Sequence, residues 1–319
     1  MTSPRRAAAA AAAPAAASAP RSVGSAYDSL TGFAALATAA VIALLHLYGA
    51  SAGLAGYSLG GTASGAPSLR LAAASFLGCT TLLSLLPRGA PLALRVYVVS
   101  TVHAVLACYL AARALLQLAG GRPLRVLASE ALAGAAAIDG WRADAGWANA
   151  ATAVIAGYTG ADIAFALVLD GSLLDVAMRA HHAIALLAFG SSIAARYATP
   201  YMALVVLTEA STPLLNFYHT WARAGLLRML NGAALWLCYL LFRVVLVSAI
   251  LLHVARSSTA QVVAEAPPLW YLYVASLLTV HALNVWWWWR ITLIFVRALR
   301  GLCSAPPPPP AGAAPAKKD

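Results

Sequence analysis

The chain has 319 residues, of which 62% are hydrophobic and only 10% charged, where a soluble domain carries about a quarter charged residues. Mean hydropathy is +0.78, and apolar stretches of about 18 residues or more recur, long enough to cross a hydrocarbon core of roughly 30 Å. Net charge is +11, yet the cations sit at the ends of apolar runs, which reads as membrane topology rather than nucleic-acid binding. The segments of about ten alternating residues that mark a β-barrel are missing. The expectation is therefore an all-α, polytopic helical membrane protein.

Residues 1–26, MTSPRRAAAAAAAPAAASAPRSVGSA, are Ala-rich, carry Arg5, Arg6 and Arg21, and contain no acid. That composition fits a disordered cytosolic tail, or else an organellar transit peptide. Eight spans are expected after it, near 31–50, 69–87, 93–114, 147–169, 180–197, 199–217, 229–254 and 270–297. The fifth and sixth are joined by a tight turn at Thr199-Pro200, where proline stops a helix. The connection 115–146 has room for a short interfacial helix, with Trp141 and Trp147 at headgroup level. A Pro-rich tail at 301–319 is expected to be disordered. Cys79, Cys108 and Cys238 lie within apolar runs and read as small buried hydrophobes. Cys303 is juxtamembrane and suited to palmitoylation.

Charge sets the expected orientation. With the N-terminus in the cytosol, the cytosolic segments hold Arg5, Arg6, Arg21, Arg88, Arg95, Arg223, Arg228, Arg297, Arg300, Lys317 and Lys318. The opposite side is neutral or balanced, as where Glu265 offsets Arg256. The positive-inside rule then puts both termini in the cytosol. One loop, with Asp170, Asp175 and Arg179, breaks the trend.

Ionisable residues within spans are expensive and usually face a bundle interior or a cavity. This chain has His103, Asp162, His181, His182, Glu209, Arg243, His281 and Arg290, with Asn284 beside them. At roughly 1.5 Å of rise per residue, His103, Asp162, Glu209 and Arg290 lie about 10–12 Å from the cytosolic ends of their spans, and Arg243 about 20 Å. Such a layer across several spans points to a polar pocket open toward the cytosol. Arg243 is a candidate ion-pair partner for Glu209 or Asp162.

The segment LTEASTPLLN, 207–216, holds Glu209, Ser211, Thr212 and Asn216. Glu209, Thr212 and Asn216 follow i, i+3, i+7 and share one helical face. Pro213 lacks an N–H and is expected to leave the Glu209 carbonyl without its helical partner. His181 and His182 diverge by about 100° on a helix, which disfavours one metal held by both; no metal site is expected. General acid–base or nucleophilic work suits a tandem histidine near neutral pH, as does a structural role. No intramembrane lysine is available for a retinal Schiff base, no GxxxxGK loop occurs, and Met178 stands where an HxxHH box would need histidine.

In order along the chain stand RVYVVSTVHAVL (95–106), GYTGADIAFAL (157–167), AHHAIALLAFG (180–190), LTEASTPLLN (207–216), NGAALWLCYLLFRVV (231–245) and HALNVWWWWRI (281–291). This ordered set resembles the TLC domain, shared by ceramide synthases, translocon-associated membrane proteins and small TLC-domain-containing proteins. The tandem histidine, the Glu-x-Ser-Thr-Pro block and the later Arg243 are most similar to the small TLC-domain group. The resemblance implies a six-helix core over about 93–300, preceded by one or two extra spans in 27–92. It also implies a central lipid-sized cavity and residence in the endoplasmic reticulum, with a chloroplast envelope or other organelle membrane as the alternative.

Ceramide synthases follow their tandem histidine with paired aspartates. Here the corresponding stretch, 191–213, contains only Glu209. The leading expectation is a protein of membrane lipid homeostasis that handles an acyl lipid or sphingolipid. Its polar cavity would be formed by His103, Asp162, Glu209, Ser211, Thr212, Asn216, Arg243 and Asn284 together with His182. The alternatives are a ceramide synthase-like N-acyltransferase and a non-enzymatic cargo receptor or regulator. The acyltransferase would use His181 and His182 as catalytic residues and acyl-CoA as co-substrate. No cofactor is otherwise expected, and the partners are membrane lipids, with no nucleic acid.

Overall fold

The computed structural model describes residues 66–119, 141, 146–220 and 225–303. The expected span at 31–50, both tails and most of the 115–146 connection lie outside the described residues. Regular structure among the described residues is entirely helical.

Among the described residues, six helices are long and apolar enough to cross a membrane. They begin with α1 (Ala66–Leu85), α2 (Leu92–Ala119), α3 (Gly146–Val168) and α4 (Val176–Ala195). A broken segment follows: α5 (Thr199–Val206), a 3-10 turn (Leu207–Ser211) and α6 (Thr212–Thr220). The fifth long apolar helix runs through α7 (Leu226–Tyr239), a π-helical turn (Leu240–Val245) and α8 (Leu246–Ser257). A short α9 (Ala260–Glu265) precedes the last and longest, α10 (Pro267–Cys303), which opens on a Pro-Pro pair. Proline suits a first turn, whose N–H groups have no helical partner.

Helix α3 is the centre of the bundle. Most of its residues are buried, and it packs against α1, α2, α4 and α5. A buried helix in lipid must satisfy its own polar groups. Thr152 and Thr159 do so by donating to the carbonyls of Ala148 and Ile155, one turn back, at 2.8 Å each. Small residues then let neighbours approach. A Cβ built on Gly157 would lie 2.1 Å from the Ala72 carbonyl oxygen on α1. Close by, the Ser75 hydroxyl donates to the Val154 carbonyl at 2.9 Å. Helix α1 is thus seated backbone to backbone on α3, the arrangement small residues permit in membranes.

The α4–α5 connection is the expected tight turn. Arg196 (φ 53°) and Ala198 (φ 61°) adopt left-handed conformations, and Pro200 falls in the first turn of α5. The turn is held by Ser192 Oγ donating to the Tyr197 carbonyl at 2.7 Å and by the Ala198 N–H donating to the Trp141 carbonyl at 2.9 Å. Trp141 and Trp147, expected at headgroup level, are instead buried against protein, only 2% and 4% exposed. Trp141 packs on Tyr197 and Tyr201, and Trp147 on Tyr109 and Arg113.

The loop that broke the charge trend has a structural explanation. Asp170 accepts from the Ser172 N–H, and Asp175 caps α4 by accepting from the Met178 N–H, both at 2.8 Å. The hydrogen bonds from Ser172 hold the Asp170 carboxyl below its usual range. Arg179 donates to the carbonyls of Leu174 and Gly171. Capping and turn hydrogen bonds engage all three charged side chains of this loop.

Polar contacts fasten α10 to α7 and α8. Trp236 Nε1 donates to Thr292 Oγ1 at 2.8 Å, Ser248 Oγ pairs with His281 Nε2 at 3.2 Å, and Trp270 Nε1 donates to Ser258 Oγ at 2.9 Å. In the tryptophan quartet, Trp286 and Trp289 are exposed on the outer face, while Trp287 and Trp288 turn partly inward. Outward-facing tryptophans on a spanning helix suit contact with lipid.

Candidate functional site

A cavity lies among α3, α4, the α5–3-10 segment and α10. Its empty volume is about 670 Å³, counting the open mouth and the solvent space within it. Most of the wall is apolar, including Ile155, Ala188, Phe189, Val206 and Leu277. His181, His182, Thr208, Glu209, Tyr273 and Ser276 supply the polar lining.

Behind this lining stands a second set of polar groups. His182 Nδ1 lies 3.2 Å from Asp162 Oδ2. The ring sits off the in-line hydrogen-bond direction, and Nδ1 has no hydrogen-bond partner by geometry; the two groups are neighbours, not a hydrogen-bonded pair. Arg243 Nη2 lies 3.7 Å from Glu209 Oε1. Thr212 bridges this pair, donating to Glu209 Oε2 at 2.7 Å and accepting from Arg243 Nη2 at 3.0 Å. Arg243 Nε donates to Ser211 Oγ at 2.8 Å and to the Thr208 carbonyl at 3.1 Å, and its guanidinium lies over the Tyr239 ring. Of the two expected partners for Arg243, the structure selects Glu209.

Two irregular turns make this meeting happen. Pro213 has no N–H to offer the Glu209 carbonyl, as the sequence indicates. The carbonyl is nevertheless not left free: the Thr212 N–H takes it instead. Accepting from three residues on rather than four tightens the chain into the 3-10 turn Leu207–Ser211. Across from it, the π-helical turn widens the helix at Leu240–Val245, and Arg243 within it is buried at 7% exposure. One overwound and one underwound turn face each other, and their side chains form the Glu209–Arg243 cluster. Such π turns often mark functional sites.

The expected site residues therefore separate into groups. His181, His182 and Glu209 line the cavity. Asp162, Ser211, Thr212 and Arg243 stand behind, touching lining residues or their backbone. His103 stacks on Tyr158, a lining residue, with ring centres 3.8 Å apart. Asn216 turns elsewhere, donating to the Tyr97 carbonyl and Thr101 Oγ1 of α2 at 3.2 and 3.0 Å. Asn284 is fully buried and meets the Tyr239 hydroxyl at a long 3.5 Å. Neither asparagine lines the cavity, so the stripe Glu209–Thr212–Asn216 does not form one cavity wall. The tightened 3-10 turn changes the angular step on which that spacing argument depends.

Tyr158, Thr208, Tyr273 and Ser276 line the cavity without having been singled out in the sequence. Hydroxyl residues are common in spanning helices, so their type alone carries little signal. The divergence of the two histidines does hold: His182 turns to Asp162, and His181 meets the edge of Trp287 at 5.6 Å. His181 Nδ1 has no hydrogen-bond partner. Among the described residues no three His, Cys, Asp or Glu side chains converge in a manner able to hold a metal ion.

A family model described as TLC domain matches residues 94–293, more than half of the chain. The chain belongs to the TLC-domain family. The matched stretch of the TLC domain runs from the start of α2 into α10 and contains every residue of the site. Helix α1 precedes it in sequence, yet is packed onto the domain's central helix. Membership links this membrane protein to lipid metabolism and homeostasis. No curated protein and no solved structure gives a significant match.

Proposed function

We propose that this TLC domain binds and handles an acyl lipid, of the sphingolipid kind, within its cavity. The supporting observation is the distribution of polarity: an apolar wall with a few polar groups, among them the unsatisfied His181 Nδ1. Buried polar atoms are normally paired, and the headgroup of an amphipathic ligand supplies the missing partner. The positive-inside count turns the end bearing His182 and Asp162 toward the cytosol, and the endoplasmic reticulum is the proposed membrane. Protein purified in mild detergent is expected to retain such a lipid, identified by mass spectrometry. Ala188→Phe, which fills the cavity, and Glu209→Gln, which removes its carboxylate, should each lower the retained amount several-fold. Unchanged lipid content in both variants, folded as the wild type is, overturns the proposal.

A second reading, acyl transfer, draws support from Asp162 beside His182. Were the ring to turn into line with this carboxylate, a hydrogen bond at Nδ1 would orient the imidazole so that Nε2 could take a proton. In this reading His182 removes a proton from a long-chain amine, the amine attacks an acyl-CoA thioester, and the thiol departs as the amide forms. Labelled acyl-CoA and a sphingoid base decide between the readings. N-acyl product above that of the His181→Ala/His182→Ala double variant supports catalysis; none leaves lipid binding alone.

A further inference from the structure

Helix α10 is longer than a bilayer requires. Its 37 residues rise about 55 Å, against a hydrocarbon core of roughly 30 Å. The end at Pro267 is marked as polar by exposed Arg256 and Glu265, in the last turns of α8 and α9. Counted from Pro267, Trp286 lies about 28 Å along the helix and Arg290 about 35 Å. That puts Arg290 at the far edge of the core, shallower than the span limits 270–297 imply. Tryptophan is enriched at that level, and Trp286 and Trp289 are 44% and 57% exposed.

An arginine stripe begins there. Trp286, Arg290, Leu293, Arg297 and Arg300 follow i, i+4, i+7, i+11, i+14, which confines them to an arc of about 80° on the helix. All of them are exposed. Arg290 lies over the Trp286 ring, 5.0 Å from its centroid. Among the described residues, no arginine of the stripe forms an ion pair. Asp162, Asp170, Asp175 and Glu209 sit beside other groups, and Glu265 is at the opposite end of the helix. Cations on a lipid-facing surface need a counter-charge, and here the protein supplies none.

We propose that this stripe docks the headgroups of anionic phospholipids in the leaflet at the C-terminal end of α10. The positive-inside count makes that the cytosolic leaflet, whose surface is negatively charged. A guanidinium binds a phosphate through two parallel N–H donors, while its stem lies along apolar surface. A span longer than the core tilts, which lays Arg297 and Arg300 toward the same headgroup layer as Arg290. The stripe is on the outer face of the bundle, so this docking is independent of any lipid held in the cavity.

The test uses full-length protein in phosphatidylcholine vesicles, with tryptophan fluorescence quenched by brominated phosphatidylserine or by an equal fraction of brominated phosphatidylcholine. Wild type should show a several-fold preference for the anionic quencher at low salt, reduced at about 1 M salt. The triple variant Arg290→Gln/Arg297→Gln/Arg300→Gln should lose the preference, and the matching triple Lys variant should keep part of it. Trp286→Phe/Trp289→Phe should remove most of the selective quenching, which locates it on this face. Equal quenching by the two lipids in wild type overturns the proposal, as does an unchanged preference in the folded Gln variant. If the Trp286→Phe/Trp289→Phe variant keeps the whole preference, the anionic lipid lies elsewhere and the proposal fails. If neither lipid reaches these two tryptophans, protein covers the face and the proposal fails too. Cavity lipid retained by the Gln variant should match wild type, which separates this result from the lipid-binding reading.

Discussion

Arg243 Nη2 stands 3.7 Å from Glu209 Oε1, and the Thr212 hydroxyl bridges the two, donating at 2.7 Å and accepting at 3.0 Å. The ion pair is thus a three-residue unit between an overwound and an underwound turn. Its hydroxyl lets each charge keep a hydrogen bond while the charges remain apart. Only Glu209 of the three lines the cavity. Arg243 and Thr212 thereby control the direction of a carboxylate that a ligand would meet.

Arg243→Met should be destabilising, by about 3 kcal/mol or less, because it leaves the half-buried Glu209 carboxylate without its cation. Adding Glu209→Gln to it should restore much of the loss by removing the orphaned charge. Thermal unfolding in detergent across the double-mutant cycle provides the measurement. Additive losses from the two changes would mean that the pair is not coupled.

Thr212→Val keeps the shape and removes the bridge, and should cost about 1–3 kcal/mol by leaving buried groups unsatisfied. Thr212→Ser keeps the hydroxyl and should remain within about 1 kcal/mol of wild type. Equal melting temperatures for the Val and Ser variants would remove the bridging role.

Pro213→Ala returns an N–H that can donate to the Glu209 carbonyl. The 3-10 turn should relax toward α-helix and turn Glu209 away from Arg243. Relief of the irregular turn should leave thermal stability within about 1 kcal/mol of wild type or raise it, while retained lipid falls. Undiminished lipid retention would show that the turn's irregularity is not needed for the site.

Gly157→Ala places a methyl against the Ala72 carbonyl oxygen, 2.1 Å from its ideal position. Overpacking of this kind costs about 1–3 kcal/mol. Because the obstacle is backbone, Ala72→Gly should not rescue it. Unfolding measurements on the single and double variants check this, and full rescue would locate the contact in a side chain.

Much of this architecture is written in the one-dimensional pattern. Span lengths, the stop at Pro200 and the irregularity at Pro213 follow from helix geometry and from proline's missing N–H. The intramembrane charges mark where polar groups must converge, because hydrocarbon offers them no other partner. What the pattern could not supply was which of these residues face a ligand and which support those that do. Asp162, Glu209 and Arg243 look alike as charges in apolar runs, yet only Glu209 reaches the cavity. Spacing along one ideal helix also misplaced Asn216, which binds α2, because the 3-10 turn changes the step between residues.

The sequence alone therefore determined a helical membrane protein with a polar layer across its spans, since length, hydropathy and helical backbone satisfaction are local properties, while its ordered blocks carried the resemblance to the TLC domain. Only the tertiary structure decided that Arg243 pairs with Glu209 and that His182 neighbours Asp162. Those facts depend on the rotation and separation of helices far apart in the chain. They were set by close contacts such as Gly157 on Ala72, and by turns that depart from the ideal helix.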